Sequence, residues 1–108
     1  MSRDIRESDW KLFRELHPIA LNRFCERVLS EITHIASDAA KTPHARYGDI
    51  FALVRERDRL LAQAFDDKRR STALLQLAII HSHGLLTEEE LARFSPEARD
   101  AITWRERI

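Results

Sequence analysis

Apolar residues recur at three- and four-residue steps along the first third of the chain, over residues 10–39. This spacing predicts a long helix with a broad apolar face that packs against other helices. Ser8 is a suitable N-cap, with Asp9 in the first turn. Pro18 lies inside the pattern. Because the apolar face stays in phase on both sides of this proline, we expect a kinked helix, with a break near Leu16 as the alternative.

A second long helix is predicted from Pro43 to about Phe65, because Thr42 and Pro43 form an N-cap followed by proline at the first helical position. The predicted buried seam of this helix contains Tyr47, Ile50, Val54, Leu61 and Ala64. Arg57 and Asp58 fall between two of these apolar positions. We therefore expect them either to meet a charge on a neighbouring helix or to line a small polar groove.

A third helix is predicted from about Lys68 to His83. Residues 73–80 of this helix are apolar on nearly every side, with Gln76 as the exception. A helix of this kind lies in the middle of a larger structure. It is either the central member of the bundle or is covered by a second copy of the protein.

Two short helices complete the pattern. Thr87 and Glu90 have the spacing of a capping box, and Ser95-Pro96 is typical of a helix start. The chain has only two glycines and three prolines, which favours long helices over many strands. We predict an all-α protein, a compact helical bundle of two long helices, a buried third helix and two short C-terminal helices. It forms a single domain over residues 1–108, with residues 1–7 as a flexible N-terminal segment.

Composition narrows the classes of function. Eighteen basic residues balance eighteen acidic ones, so the chain has no general attraction for nucleic acid or anionic lipid. Cys25 is the only cysteine, which excludes an internal disulfide. The N-terminus has no apolar signal core, and the longest apolar stretch is far shorter than the ~20 residues that cross a bilayer. We expect a soluble, cytoplasmic protein with no membrane partner.

The histidines do not have the spacing of a metal site. His81 and His83 are two residues apart and would diverge by about 200° on a helix, whereas ligands must converge. With Gly84 after them, they are more typical of a capped helix end. Cys25 is interpreted as a small apolar residue of the first helix. We therefore predict no catalytic residue, no cofactor and no metal, and a metal- or cysteine-dependent enzyme is the least favoured function.

Nucleic-acid binding is the alternative function. Residues 87–107 could form a degenerate helix-turn-helix, with Arg99, Thr103, Arg105 and Arg107 on the reading helix. Against this, Pro96 replaces the usual turn glycine. Residues 88–108 also contain six acidic and four basic residues, whereas a DNA-binding face normally carries a positive surplus.

Three stretches, NRFCERVLSEI, RERDRLLAQAFDDKRRSTALLQLA and GLLTEEELARFSPE, resemble a family of short uncharacterised bacterial all-helical proteins. The resemblance extends from Trp10 to about Arg99. Some members of that family carry a peptide-chain-release-factor label, but release activity requires Gly-Gly-Gln and this chain has no adjacent glycines. The family assigns no catalytic or binding residues, so the resemblance transfers no function. Separately, GLLTEEEL is similar to the turn of short bacterial oligomerisation hairpins.

These observations favour a small non-enzymatic protein-interaction or regulatory protein that associates with itself or with a protein partner. The prediction rests on the apolar third helix and on the surplus of aliphatic residues in the first. We expect a homo-oligomer and no nucleic-acid partner. The candidate interaction residues are Arg57, Asp58, Lys68, Arg69, Arg70, His81 and His83.

Overall fold

A computed structural model describes residues 5–104, and this part of the chain contains helices and no strand. The all-α bundle predicted from the sequence is confirmed. The helices are α1 (Glu7–Ala36), α2 (Pro43–Phe65), a single 3₁₀ turn (Arg70–Thr72), α3 (Ala73–Ser82), α4 (Glu88–Ala92) and α5 (Pro96–Thr103).

Helix α1 begins at Glu7, with Arg6 rather than the predicted Ser8 at the N-cap position. The helix continues through Pro18, so the alternative of a break near Leu16 is wrong. Ile5 is buried, and residues 5–7 therefore belong to the folded structure, although the sequence placed them in a flexible segment. Residues 1–4 and 105–108 lie outside the described part, and these include two arginines of the predicted reading helix.

Helix α2 has the predicted bounds and the predicted cap. The Thr42 side chain accepts a hydrogen bond from the backbone N–H of Ala45 at 3.1 Å. Helices α1 and α2 pack side by side as an antiparallel hairpin. At the hairpin turn, Arg46 Nη1 donates to the Ala36 carbonyl at 2.6 Å, and Lys41 pairs with Asp49 at 2.8 Å. These contacts tie the end of one helix to the start of the next.

Helix α3 is the central member of the bundle. It begins at Ala73, five residues after the predicted start, because the chain first makes a 3₁₀ turn. Ala73, Leu77 and Ile80 are each at most 1% exposed. The helix packs against α1, α2 and α5. Leu75 is its exposed apolar position at 58%, so helices of the same chain cover most of α3 and a second copy is not needed to do so.

The end of α3 is the predicted glycine-capped helix terminus. Gly84 has a φ of +68°, in the left-handed region. Its N–H bonds to the His81 carbonyl at 2.9 Å, and the N–H of Leu85 bonds to the Ile80 carbonyl at 3.2 Å. This pair of bonds is the Schellman arrangement, which satisfies carbonyls that would otherwise be left at the helix end.

The two short helices are capped as predicted and are held by α1. Thr87 and Glu90 form both bonds of a capping box. The Ser95 side chain accepts from Ala98 at the start of α5. Asp9 of α1 is 3% exposed, and its carboxylate accepts bonds from the backbone N–H and the hydroxyl of Ser95 at 2.9 and 2.7 Å. A buried polar group of this kind is tolerated because its oxygens are hydrogen-bonded.

The core occupies only one end of the α1–α2 hairpin. No residue from Cys25 to Gln63 is buried. We call residues 25–63 the arm and the remaining described residues the body. The molecule measures 52 × 28 × 26 Å, and α1 with 30 residues accounts for about 45 Å of the longest dimension.

The predicted buried seam of α2 is therefore wrong at two positions. Ala64 is buried and Ile50 and Leu61 are half-buried, but Tyr47 is 71% exposed and Val54 is 44% exposed. The reason is that α3, α4 and α5 reach only the end of the arm nearest the body. Further along the arm, towards the hairpin turn, the two long helices pack against each other, and no third helix of the described chain covers their outer face.

Candidate functional site: an apolar groove on the arm

Four large apolar side chains form an exposed strip on one side of the arm. They are Leu29 of α1 and Tyr47, Phe51 and Val54 of α2, with 44% to 71% of each side chain exposed. Tyr47 and Val54 are seven residues apart, so they differ by only about 20° around the helix. The strip therefore follows the arm lengthwise.

A groove of about 250 Å³ lies between the two helices at the end of the strip nearest the body. Its α1 side is formed by Phe24, Cys25, Val28, Leu29 and Ile32. Its α2 side is formed by Val54, Arg57, Asp58 and Leu61. The lining is apolar except at one edge, where an arginine and an aspartate follow each other along α2. The size and lining suit an apolar side chain that carries a polar end.

Arg57 meets a charge on the neighbouring helix. Its guanidinium donates to both carboxylate oxygens of Glu31 in α1, at 2.9 and 3.3 Å. These bonds raise the pKa of Arg57 further above its usual value, with burial opposing the shift. Asp58 is exposed and lines the same groove. The sequence left two outcomes open for this pair. Arg57 meets a charge on the neighbouring helix, which is the first outcome. Arg57 and Asp58 also line a groove, but its lining is mainly apolar and not polar as expected.

A second cleft, of about 380 Å³, lies on another side of the hairpin and brings Arg57 close to His83. Glu31 and Glu56 also line this cleft, and both pair with Arg57. The acidic side chains of this cleft already pair with Arg57. We therefore consider the apolar groove the better candidate for a binding site.

The basic turn after α2 is engaged in contacts within the body. Arg69 forms an ion pair with Asp67. Arg70 pairs with Glu7 at 2.7 Å and stacks on the Trp10 ring at 5.3 Å. Lys68 is exposed. Arg70 thus contacts the start of α1, away from the groove that Arg57 and Asp58 line, so the structure does not combine these residues into one surface.

Two arginines of α1 hold the C-terminal segment in place. Arg23 donates to both carboxylate oxygens of Glu90, at 2.6 and 2.9 Å, and to the Leu85 carbonyl at 3.0 Å. Arg27 donates to the carbonyls of His83 and Gly84, the latter at 2.7 Å. In the sequence, Arg23 and Arg27 are four residues apart and carry the same charge. Their partners lie 56 to 67 residues away and could not be identified from spacing.

The residues considered for chemistry lie in separate places. His17 bonds through Nε2 to the Phe65 carbonyl at 2.9 Å and packs edge-on against Phe13 and Phe65. Cys25 lines the apolar groove, whose lining residues include no histidine. Among residues 5–104, no three side chains of the histidine, cysteine, aspartate and glutamate types are grouped so that they could hold a metal ion.

Comparison with known proteins gave no match to a family model, a curated protein or a solved structure. The resemblance to the bacterial family described above therefore stays a prediction. None of the helices over residues 5–104 is both long enough and apolar enough to cross a membrane.

Proposed function

We propose that this chain is a small non-enzymatic protein-interaction protein that binds its partner with the arm. The observation that carries the proposal is the strip of Leu29, Tyr47, Phe51 and Val54, exposed at 44% to 71% on one side of the arm. The body holds the fold together, and the arm presents the apolar surface to a partner.

The exposed area is large enough to matter. An aromatic side chain presents roughly 150–250 Å² when fully accessible, and leucine and valine present somewhat less, so the exposed fractions of the four together amount to roughly 400 Å² of apolar surface. Patches of about 300–600 Å² are the largest found on typical monomers and are often binding sites. At about 25 cal/mol per Å², covering this area would provide roughly 10 kcal/mol before the costs of association.

The arm also has the geometry of a helix-binding surface. Two antiparallel helices with a groove between them accept the apolar face of further helices, as in four-helix bundles and helix-in-groove complexes. Asp58 and Arg57 at the groove edge add charge to an otherwise apolar site. Polar groups at the rim of an apolar contact fix the register of the partner more than they add affinity.

Nucleic-acid binding through the C-terminal helices has less support. In the described part of that segment, Ala98 and Ile102 of α5 are buried, and α5 packs against α3. Residues 88–104 contain five acidic residues and two arginines. A duplex-binding face needs the opposite balance.

A photo-crosslinking experiment tests the proposed function. A benzophenone amino acid replaces Phe51 in the strip, and in a matched control it replaces Gln63, which is exposed on the same helix but about 120° away. We expect irradiation of living cells to give discrete protein adducts from position 51 and none of these from position 63. Equal labelling from both positions, or no protein adduct from position 51, would refute the proposal.

A further inference from the structure

We infer that the partner of the arm is a second copy of this chain. The two arms pack face to face and antiparallel, and Tyr47 of each copy enters the groove of the other. The inference rests on the proposed function, because it uses the same apolar surface, and it adds the identity of the partner and the geometry of the contact.

A projecting side chain and a groove that can receive it lie on the same face of one arm. Among residues 5–104, Tyr47 is the most exposed of the large apolar residues, at 71%. Val54 and Leu61, one and two heptads further along α2, line the groove. Positions seven residues apart share a helix face and lie about 10 Å apart along the axis. The projection and the groove are therefore on one face but at different levels of the arm.

Two-fold symmetry turns this arrangement into a self-complementary surface. A two-fold axis in the plane of the contact and perpendicular to the helices places each Tyr47 over the groove of the other copy. Two equal contacts form at once, as in an isologous dimer. The same rotation directs the bodies to opposite ends of a four-helix bundle. In the parallel arrangement the bodies would lie at the same end, and the two Tyr47 rings would meet each other instead of the grooves.

The chemistry of the groove suits a tyrosine. A tyrosine that becomes buried needs a hydrogen-bond partner for its hydroxyl group. Asp58 lines the groove and is exposed, so its carboxylate is available as an acceptor. The register that sets Tyr47 beside Asp58 of the second copy also sets Phe51 beside Val54 of the second copy, because both pairs share one midpoint in α2. The four α2 positions of the contact are thus paired in a single register.

The available apolar area approaches what a dimer interface of standard size needs. Stable interfaces bury about 800 Å² per partner, and homodimer interfaces are about 65% apolar, which requires roughly 520 Å² of apolar surface. The strip supplies roughly 400 Å². The half-buried groove residues Cys25, Ile32 and Leu61 supply more. Arg57 is neutralised by Glu31 within its own copy, so its charge adds little repulsion across the contact.

Sedimentation velocity of the full chain tests the self-association. We expect a species of twice 12.7 kDa whose fraction rises with concentration up to about 100 µM. Phe51→Glu should raise the dissociation constant about 100-fold or more, as for a central interface residue. Gln63→Glu, a charge added elsewhere on the same helix, should leave it unchanged. Both variants should keep the helical circular dichroism spectrum, because neither position is buried.

Thiol cross-linking tests the antiparallel register. A Tyr47→Cys variant retains Cys25 in the groove, and a short bismaleimide should join the two residues between copies and give a dimer on a denaturing gel. In the double variant Tyr47→Cys/Cys25→Ser, that product should disappear. If the double variant still cross-links efficiently, the two copies are joined at position 47, and the antiparallel arrangement is wrong.

The outcomes separate the two proposals. A monomer at about 100 µM overturns self-association. If position 51 then photo-crosslinks to a different protein, the proposed function stands with another partner. If position 51 gives no adduct, the proposed function falls as well. A dimer that is insensitive to Phe51→Glu overturns the arm as the contact surface.

Discussion

At the scale of single residues, the fold depends on a few charged side chains of α1 that reach the C-terminal segment. Arg23 and Glu90 form a bidentate pair, with 35% and 15% of their side chains exposed. The hydrogen bonds from Arg23 hold the pKa of the Glu90 carboxyl below its ordinary value, although partial burial opposes this shift. Glu90 also accepts from the Thr87 backbone at 2.9 Å. One carboxylate therefore caps α4 and attaches it to α1.

This pair predicts a loss of stability in acid. A carboxyl whose pKa is lowered by folding stabilises the protein above its unfolded pKa, near 4.3, and the stabilisation is lost as the pH falls through the folded value. Glu90→Gln should cost about 1–2 kcal/mol at pH 7, after allowance for the partial exposure of Arg23. The cost should be smaller at about pH 3 than at pH 7, because the charge of Glu90 is lost as the pH falls through the folded pKa. Urea unfolding at both pH values measures it, and a cost that is independent of pH would contradict the assignment.

At the scale of the helices, the two glycines have opposite roles. Gly84 has a φ of +68° and ends α3, whereas Gly48 lies inside α2. A Cβ atom at Gly84 would have only the Arg27 guanidinium nearby, at 3.6 Å, and a Cβ at Gly48 would have no neighbour within 4 Å. A methyl group fits at both positions without a steric clash. The effect of an alanine substitution on stability therefore depends on the backbone conformation at each position.

Alanine substitutions at the two glycines should therefore change stability in opposite directions. Gly84→Ala should lower the free energy of unfolding by about 1–2 kcal/mol, because a non-glycine residue is strained in the left-handed region. Gly48→Ala should raise it by up to about 1 kcal/mol, because glycine is a poor helix former. Thermal or urea unfolding of the two variants beside the parent measures both effects. A stabilising Gly84→Ala would show that the chain end of α3 is not held as described.

Helix ends and helix faces could be predicted from the sequence to different extents. The caps at Thr42, Thr87 and Ser95 and the glycine stop after His83 depend on neighbouring residues, and the structure has all of them. The exposure of the apolar face of the arm depends on whether another helix packs beside it. The periodicity of α2 shows which face is apolar, but whether another helix covers that face depends on where α3 to α5 pack. The position of Arg57 beside the apolar seam can be read from the spacing in α2. Its partner Glu31 cannot, because it lies on α1, 26 residues away.

At the scale of the whole molecule, stability is distributed unevenly. The body contains all the buried residues of the described chain, and the arm contains none. Backbone hydrogen bonds in the part of the arm around residues 47–54 can open without exposing the core, so they should break at a lower free energy than those of α3. The apolar strip therefore lies on the least stable part of the described chain, where binding of a partner would stabilise the backbone most.

Hydrogen exchange should report this difference. At about 1 µM protein, amides of residues 47–54 should exchange much faster than those of residues 77–80, which exchange on global unfolding. At about 100 µM the arm should become protected while α3 stays unchanged, because pairing of the arms adds contacts there only. Exchange at equal rates in both segments at low concentration would show that arm and body unfold as one unit.

Because the core lies in the body, the length of the arm could be changed without changing the packing of the body. Seven residues inserted at the same level into α1 and α2, between Cys25 and Gln63, would extend the hairpin by about 10.5 Å and turn each helix face by only about 20°. The body would keep its packing if both insertions lie between Val28 and Leu60, since the side chains of the two helices that pack against the core lie at or outside these positions. If two arms overlap along their length, each added heptad would also increase the spacing between the two bodies. The hairpin therefore acts as a spacer, and its length could be changed one heptad at a time while the fold of the body stays the same.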